Sequence, residues 1–197
     1  MGIKVSEQTE GSFEKVPEGT HVARCVQVID LGTQFSEHYR KSAHKILFGF
    51  ELMNEAKQDG EPFLIFMRRT ASLHVRSTLR GDLEAWRGKQ FTAEELESFD
   101  LSSVLGASAY VNVGPSDDGK YMNIRSIMSL PKGAQPGPAK TPLLLFDIDA
   151  PDMDVFEQFG DKLKATIESA EEWNAPVLMV AKKVVPDNDE EDGDLPF

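Results

Sequence analysis

Three runs of alternating hydrophobicity follow one another within the first 73 residues of this 197-residue chain. Alternation of that kind marks a half-buried strand, because successive side chains point to opposite faces of a sheet. In THVARCVQVIDLG, residues 20 to 32, Val22, Arg24, Val26 and Val28 alternate with Ala23, Cys25 and Gln27. KILFGFELM, residues 45 to 53, sets Ile46, Phe48, Phe50 and Leu52 on one face and Lys45, Leu47, Gly49 and Glu51 on the other. NEAKQDGEP supplies turn chemistry, and FLIFMRRTASL, residues 63 to 73, reads as a third strand antiparallel to the second.

The period then changes. Ser77 is placed to N-cap a helix whose Leu79, Leu83 and Trp86 share a face, with Gly88 placed to end it. Thr92 and Glu95 form a capping-box pattern for a second short helix, with Leu96 and Phe99 facing inward. SAYVNVG returns to strand, SDDG turns, and KYMNIRSIMSL closes a hairpin. Three strands, a helical insert and a hairpin are the element order of an OB-fold. The expected fold is therefore mainly β, a five-stranded OB barrel with the helical insert between strands 3 and 4; another small five-stranded barrel has the same element count.

Breaks in composition divide the rest. Residues 1–12 read as a polar arm and 13–132 as the barrel; a connector, 133–142, lies in the proline-rich run LPKGAQPGPAKTP. Residues 143–185 are expected to be a strand–helix extension: PLLLFDIDA, which begins at Pro142, reads as a strand or an extended docking segment, and a helix over 153–173 has Phe156, Phe159, Leu163 and Ile167 on one face. That face is too small to be stable alone, so it is expected to pack on the barrel or on another subunit. Residues 186–197, with like charges and no apolar periodicity, are expected to be a disordered acidic tail.

The net charge of −12 argues at first against a polyanionic ligand. Its distribution reverses the argument: six of the eight residues Asp187–Asp194 are acidic, whereas residues 13 to 135 carry 15 Lys and Arg against 16 Asp and Glu. That near-neutral body interleaves cations with aromatics, the combination that holds a phosphate backbone while stacking bases. Phe35, Tyr39, Arg40, Lys41 and Lys45 lie before and within the second strand, and Phe66, Arg68 and Arg69 end the third; Arg76, Tyr121 and Arg125 come from neighbouring elements. Phe48, Phe50, Phe63 and Phe66 read as barrel core in preference to stacking faces, and the arginines fit an ordinary solvated face as well as a groove. FSEHYRKSAHK, residues 35 to 45, is expected to be a basic loop between strands 1 and 2, beside the groove of an OB-fold.

No glycine-rich phosphate loop, nucleophile elbow or metal-binding His/Cys pattern is present, so no enzyme activity, cofactor or metal is expected. Asp147, Asp149, Asp152 and Asp154 precede a helix and suit capping. Cys25 stands alone in an apolar stretch, as a buried thiol would. The start, MGIKVSEQTEGSF, lacks the apolar region of a signal peptide, and no run spans a bilayer; a cytoplasmic location is expected.

The final residues, DGDLPF, resemble the acidic tip of bacterial single-stranded DNA-binding proteins. The body, with Ser72–Gly88 reading SLHVRSTLRGDLEAWRG, resembles instead a tailed-phage family of OB-fold single-stranded DNA-binding proteins. The resemblance implies binding of single-stranded DNA with little sequence preference during replication, recombination or repair. It also implies that Asp192, Asp194, Leu195, Pro196 and Phe197 dock replication or repair proteins. Monomer and homodimer stay open, and the alternative role is an adaptor of a replication assembly whose barrel binds protein alone.

Overall fold

The structure, a computed structural model, describes residues 14–134 and 136–174. Its centre is a mainly antiparallel sheet. Strands β1 (Gly19–Ser36), β2 (Lys41–Ala56), β3 (Pro62–Thr70), β4 (Ser108–Pro115) and β5 (Met122–Met128) are ordered β3-β2-β1-β4-β5, and β6 (Leu144–Phe146) runs parallel to β1. β1 is long enough to serve two neighbours on one edge, pairing with β4 through Gly19–Arg24 and with β6 through Gln27–Ile29. The fold is thus mainly β, as expected. The sixth strand, β6, lies in PLLLFDIDA, where a strand or an extended segment is expected, and it joins the same sheet; the sheet does not close into a barrel, since β3 and β5 approach each other but no ladder joins them among the described residues.

Helix α1 (Thr78–Arg87) bridges β3 and β5. Its apolar stripe, Leu79, Leu83 and Trp86, is buried in the main core with Phe48, Phe50, Phe63 and Ile65. The Trp86 indole N–H donates to the Ser108 carbonyl at 3.0 Å, and the Ser129 N–H donates to Ala85 O, so α1 is tied to β4 and to the end of β5. Gly88 ends the helix in the left-handed region at φ 66°. The expected capping box is present in α2 (Ala93–Glu97), where the Glu95 N–H donates to Thr92 Oγ1 and the Thr92 N–H to Glu95 Oε2. Cys25 is buried in this core; burial pushes its thiol up to about 12, which leaves almost no thiolate at neutral pH.

Two expectations are corrected. FSEHYRKSAHK is not a loop: β1 continues to Ser36 and β2 begins at Lys41, so a turn over residues 37–40 joins a long hairpin. The ladder Thr33–His44 to Ser36–Lys41 supplies its backbone bonds, while its mostly polar side chains carry no apolar alternation to announce it. The helix expected over 153–173 is three pieces, α3 (Met153–Glu157), α4 (Asp161–Glu168) and α5 (Glu171–Asn174). The chain breaks at Gly160, which is extended at φ −69° and ψ 154° and stands as the N-cap of α4.

These pieces and β6 form a second core against the outer side of β1, with Phe146, Phe156, Phe159 and Ile167 meeting Ile29 and Leu31. Trp173 stacks on Phe156 at 4.7 Å. Each large apolar side chain buried there contributes roughly 1.5–3 kcal/mol. Polar bonds fix the register: Glu172 accepts from the Thr33 N–H (2.6 Å) and Oγ1 (2.5 Å), and His44 lies 2.6 Å from Asp30 and 3.3 Å from Glu172. Burial draws Asp30 above its ordinary carboxyl value despite bonds from Gly32 and His44. For Glu172 burial acts the same way, but the Thr33 bonds outweigh it and the value falls.

The connector is fastened too. Buried Glu51 accepts from the Lys140 N–H at 2.8 Å and the Thr141 N–H at 2.7 Å, and Arg24 donates to the Pro136 carbonyl. Burial works to raise the Glu51 pKa, but the bonds from Thr141 and Lys140 outweigh it and hold it below its ordinary value. A carboxylate depressed on folding gives its full contribution above its unfolded value, which is lost as pH falls through the lower folded value. Hydrogen-exchange protection of the Lys140 and Thr141 amides is therefore expected to decline below about pH 4.5. In Glu51→Ala it should be absent at every pH; amides that stay protected in that variant would show another acceptor holding the connector.

Candidate nucleic-acid interface

Antiparallel register brings the end of β3 beside the start of β2, pairing Lys45 with Thr70, Leu47 with Arg68 and Gly49 with Phe66. After β3 a strap, residues 71–77, leads into α1 and is tied to itself. The His74 N–H donates to Ser72 Oγ, the Arg76 N–H to His74 Nδ1, and the Ser77 N–H to the His74 carbonyl. Between strap and strands lies an open groove of about 730 Å³.

Four of the expected residues line it: Lys45, Arg68, Arg69 and Arg76. Among the described residues, no acidic side chain does. Thr70, Ser72, His74, Ser77 and Thr78 complete the polar wall, adding hydroxyl donors of the kind that position phosphates. The sequence signal for them is the run TASLHVRST directly after the paired arginines. α1 starts at this wall with no acid in its first turn, and the Ser77 hydroxyl makes no capping bond. The positive end of the helix dipole therefore adds to the cationic field.

The four cations are not equivalent. Arg69 Nε donates to Asp82 Oδ2 at 2.5 Å and its Nη1 to the Arg68 carbonyl at 3.0 Å, so its charge is largely committed to tying β3 to α1. Lys45 Nζ donates to Thr70 Oγ1 at 2.6 Å and keeps its charge unpaired among the described residues. Desolvation draws the Arg68 guanidinium below its ordinary value, which strengthens its pull on an anion that displaces the remaining water.

Phe66 is 44% exposed on the same sheet face as Arg68. Its neighbour across the ladder is Gly49, where an added Cβ would stand 3.1 Å from the Phe66 ring, so glycine allows the close approach. Phe48, Phe50 and Phe63 are core, and Phe66 is an aromatic surface. The β1–β2 hairpin holds a separate cluster. Phe35 is 62% and Tyr39 72% exposed, His38 packs edge-on to Tyr39 at 4.6 Å, and Arg40 (φ 49°) and Lys41 occupy the turn and the start of β2.

Tyr121 and Arg125 stand on the β4–β5 hairpin, away from the groove lining. Tyr121 is exposed, whereas Arg125 folds across Gly114 and donates to the Pro115 carbonyl at 2.6 Å. Asp192, Asp194, Leu195, Pro196 and Phe197 lie outside the described residues. Of the aspartates before α3, Asp152 accepts from the Asp154 and Val155 N–H groups as its N-cap, and Asp147 accepts from the Asp149 N–H. Among the described residues, no group of three or more His, Cys, Asp or Glu is placed to hold a metal ion, and no helix is long and apolar enough to cross a membrane. No protein-family model matches the chain, and no curated protein matches it at a significant level.

Proposed function

We propose that this chain is a non-catalytic protein that binds single-stranded DNA with little sequence preference, in the cytoplasm, during replication, recombination or repair. The observation that carries the reading is the groove, with Lys45, Arg68, Arg69 and Arg76 and five polar neighbours on its wall and no carboxylate among them. A phosphate chain releases counterions on meeting such a surface, and its bases have Phe66 beside the groove, and Tyr39 and Phe35 on the hairpin, as exposed stacking faces. An OB-type architecture is supported by the order β3-β2-β1-β4-β5 and by α1 between β3 and β4. In this reading the strand crosses the β2–β3 face, and the acidic tip recruits replication or repair proteins.

Titration of a fluorescent oligothymidine tests it. Affinity is expected to fall steeply between about 50 and 200 mM salt, with a log–log slope near −0.7 for each phosphate neutralised. Absence of binding at the lower salt would overturn the reading and leave the protein-only adaptor.

A further inference from the structure

Behind the strap lies a second cavity of about 220 Å³, walled by Ala71, Ser72, Leu73, Leu79, Phe99 and Leu101. Ser72 and Leu79 line both this cavity and the cationic groove, so the two adjoin across the strap. The pairing is chemically specific. One side offers guanidinium, ammonium and hydroxyl groups; the other offers aliphatic walls and one aromatic ring, with the Ser72 hydroxyl at the border. Phe99 is held in place by Phe91, edge-on at 4.9 Å, with the Arg87 guanidinium over its ring at 5.0 Å. A nucleotide has this same division, a charged phosphate joined through a sugar to a flat apolar ring system.

We infer that the cavity is a base-receiving subsite, which takes one nucleobase of the bound strand out of its stack while the groove holds the adjoining phosphates. The inference rests on the single-stranded DNA reading. It adds an interaction that a duplex cannot make, since a paired base turns into the pocket only at the cost of unpairing. It also fits low sequence preference: among the cavity's side chains Ser72 alone carries a hydrogen-bonding group, too few to tell bases apart.

The test uses the full chain and the shortest oligothymidine that keeps full affinity, with a single abasic residue placed at each position in turn. One position is expected to weaken binding about tenfold, the scale of removing one stacked base. In Ala71→Leu, whose larger side chain fills the cavity, that discrimination should vanish while the salt slope is unchanged. A wild-type profile with no sensitive position would overturn the subsite, as would discrimination that persists in a folded Ala71→Leu. Failure of the unmodified strand to bind would overturn the DNA reading itself, and the subsite with it.

Discussion

Gly32→Ala is expected to unseat residues 144–174 from the sheet while leaving the main core folded. Gly32 sits at φ 65° within the irregular stretch of β1 between Asp30 and Thr33. An added Cβ would stand 2.6 Å from Ile148 Cδ1, 2.7 Å from Ala170 Cβ and 2.7 Å from Glu172 Oε2. Ala170 is fully buried, and Glu172 is held by Thr33, so neither can move aside without pulling the unit off β1. The left-handed conformation costs a non-glycine residue about 1–2 kcal/mol, and overpacking a tight site adds roughly 1–3 kcal/mol. The two tryptophans report separately. Trp173 lies in the second core, and its emission should shift to the red; Trp86 lies in the main core and should not change. Trypsin should then cut at Lys132 or Lys140. Wild-type emission and protease resistance in Gly32→Ala would show that the close packing at this bulge does not seat the unit.

Why some of this is legible in the sequence and some is not follows from the range of the interactions. Alternation in KILFGFELM and FLIFMRRTASL reports burial on one face, and Ile46, Phe48, Phe50, Phe63 and Ile65 are indeed core. Caps are local chemistry, so Thr92, Glu95, Gly88 and Asp152 can be assigned within a few residues of sequence. The hairpin beyond Thr33 is held by backbone bonds and by long-range polar bonds such as Gln34 to Thr166 and Ser42 to Glu171, which leaves no apolar pattern to read. β6 pairs parallel with a strand more than a hundred residues earlier, and three apolar residues cannot specify that partner. In the groove, Arg68 and Arg76 are visible as charges, but the pairing of Arg69 with Asp82 depends on how α1 packs against β3. Phe66 reads as core in the sequence and is 44% exposed in the structure; the run from Phe63 to Met67 is apolar at every position, so alternation does not separate the two faces of the strand.

That difference between Arg69 and its neighbours yields the largest expected loss of function. Arg68→Ala combined with Arg76→Ala removes two groove cations that have no ion-pair partner among the described residues, so the fold should be retained. The salt slope for oligothymidine should fall in magnitude by about 1.4, at 0.7 for each phosphate left without its cation. Affinity at low salt should drop by roughly two orders of magnitude or more, since charge-assisted hydrogen bonds contribute roughly 1.5–3 kcal/mol each. Arg69→Ala should behave in the opposite way. It leaves Asp82, a mostly buried carboxylate, without its partner, so the melting temperature falls while the salt slope changes little. A double variant that keeps the wild-type slope would move the phosphate path off this groove, to the Tyr39–Lys41 hairpin or to the β4–β5 hairpin. An Arg69→Ala that loses slope but not stability would mean that the Asp82 pair opens to let the guanidinium reach DNA. Slope, affinity and melting temperature together separate a cation that binds from a cation that holds the binding surface in shape.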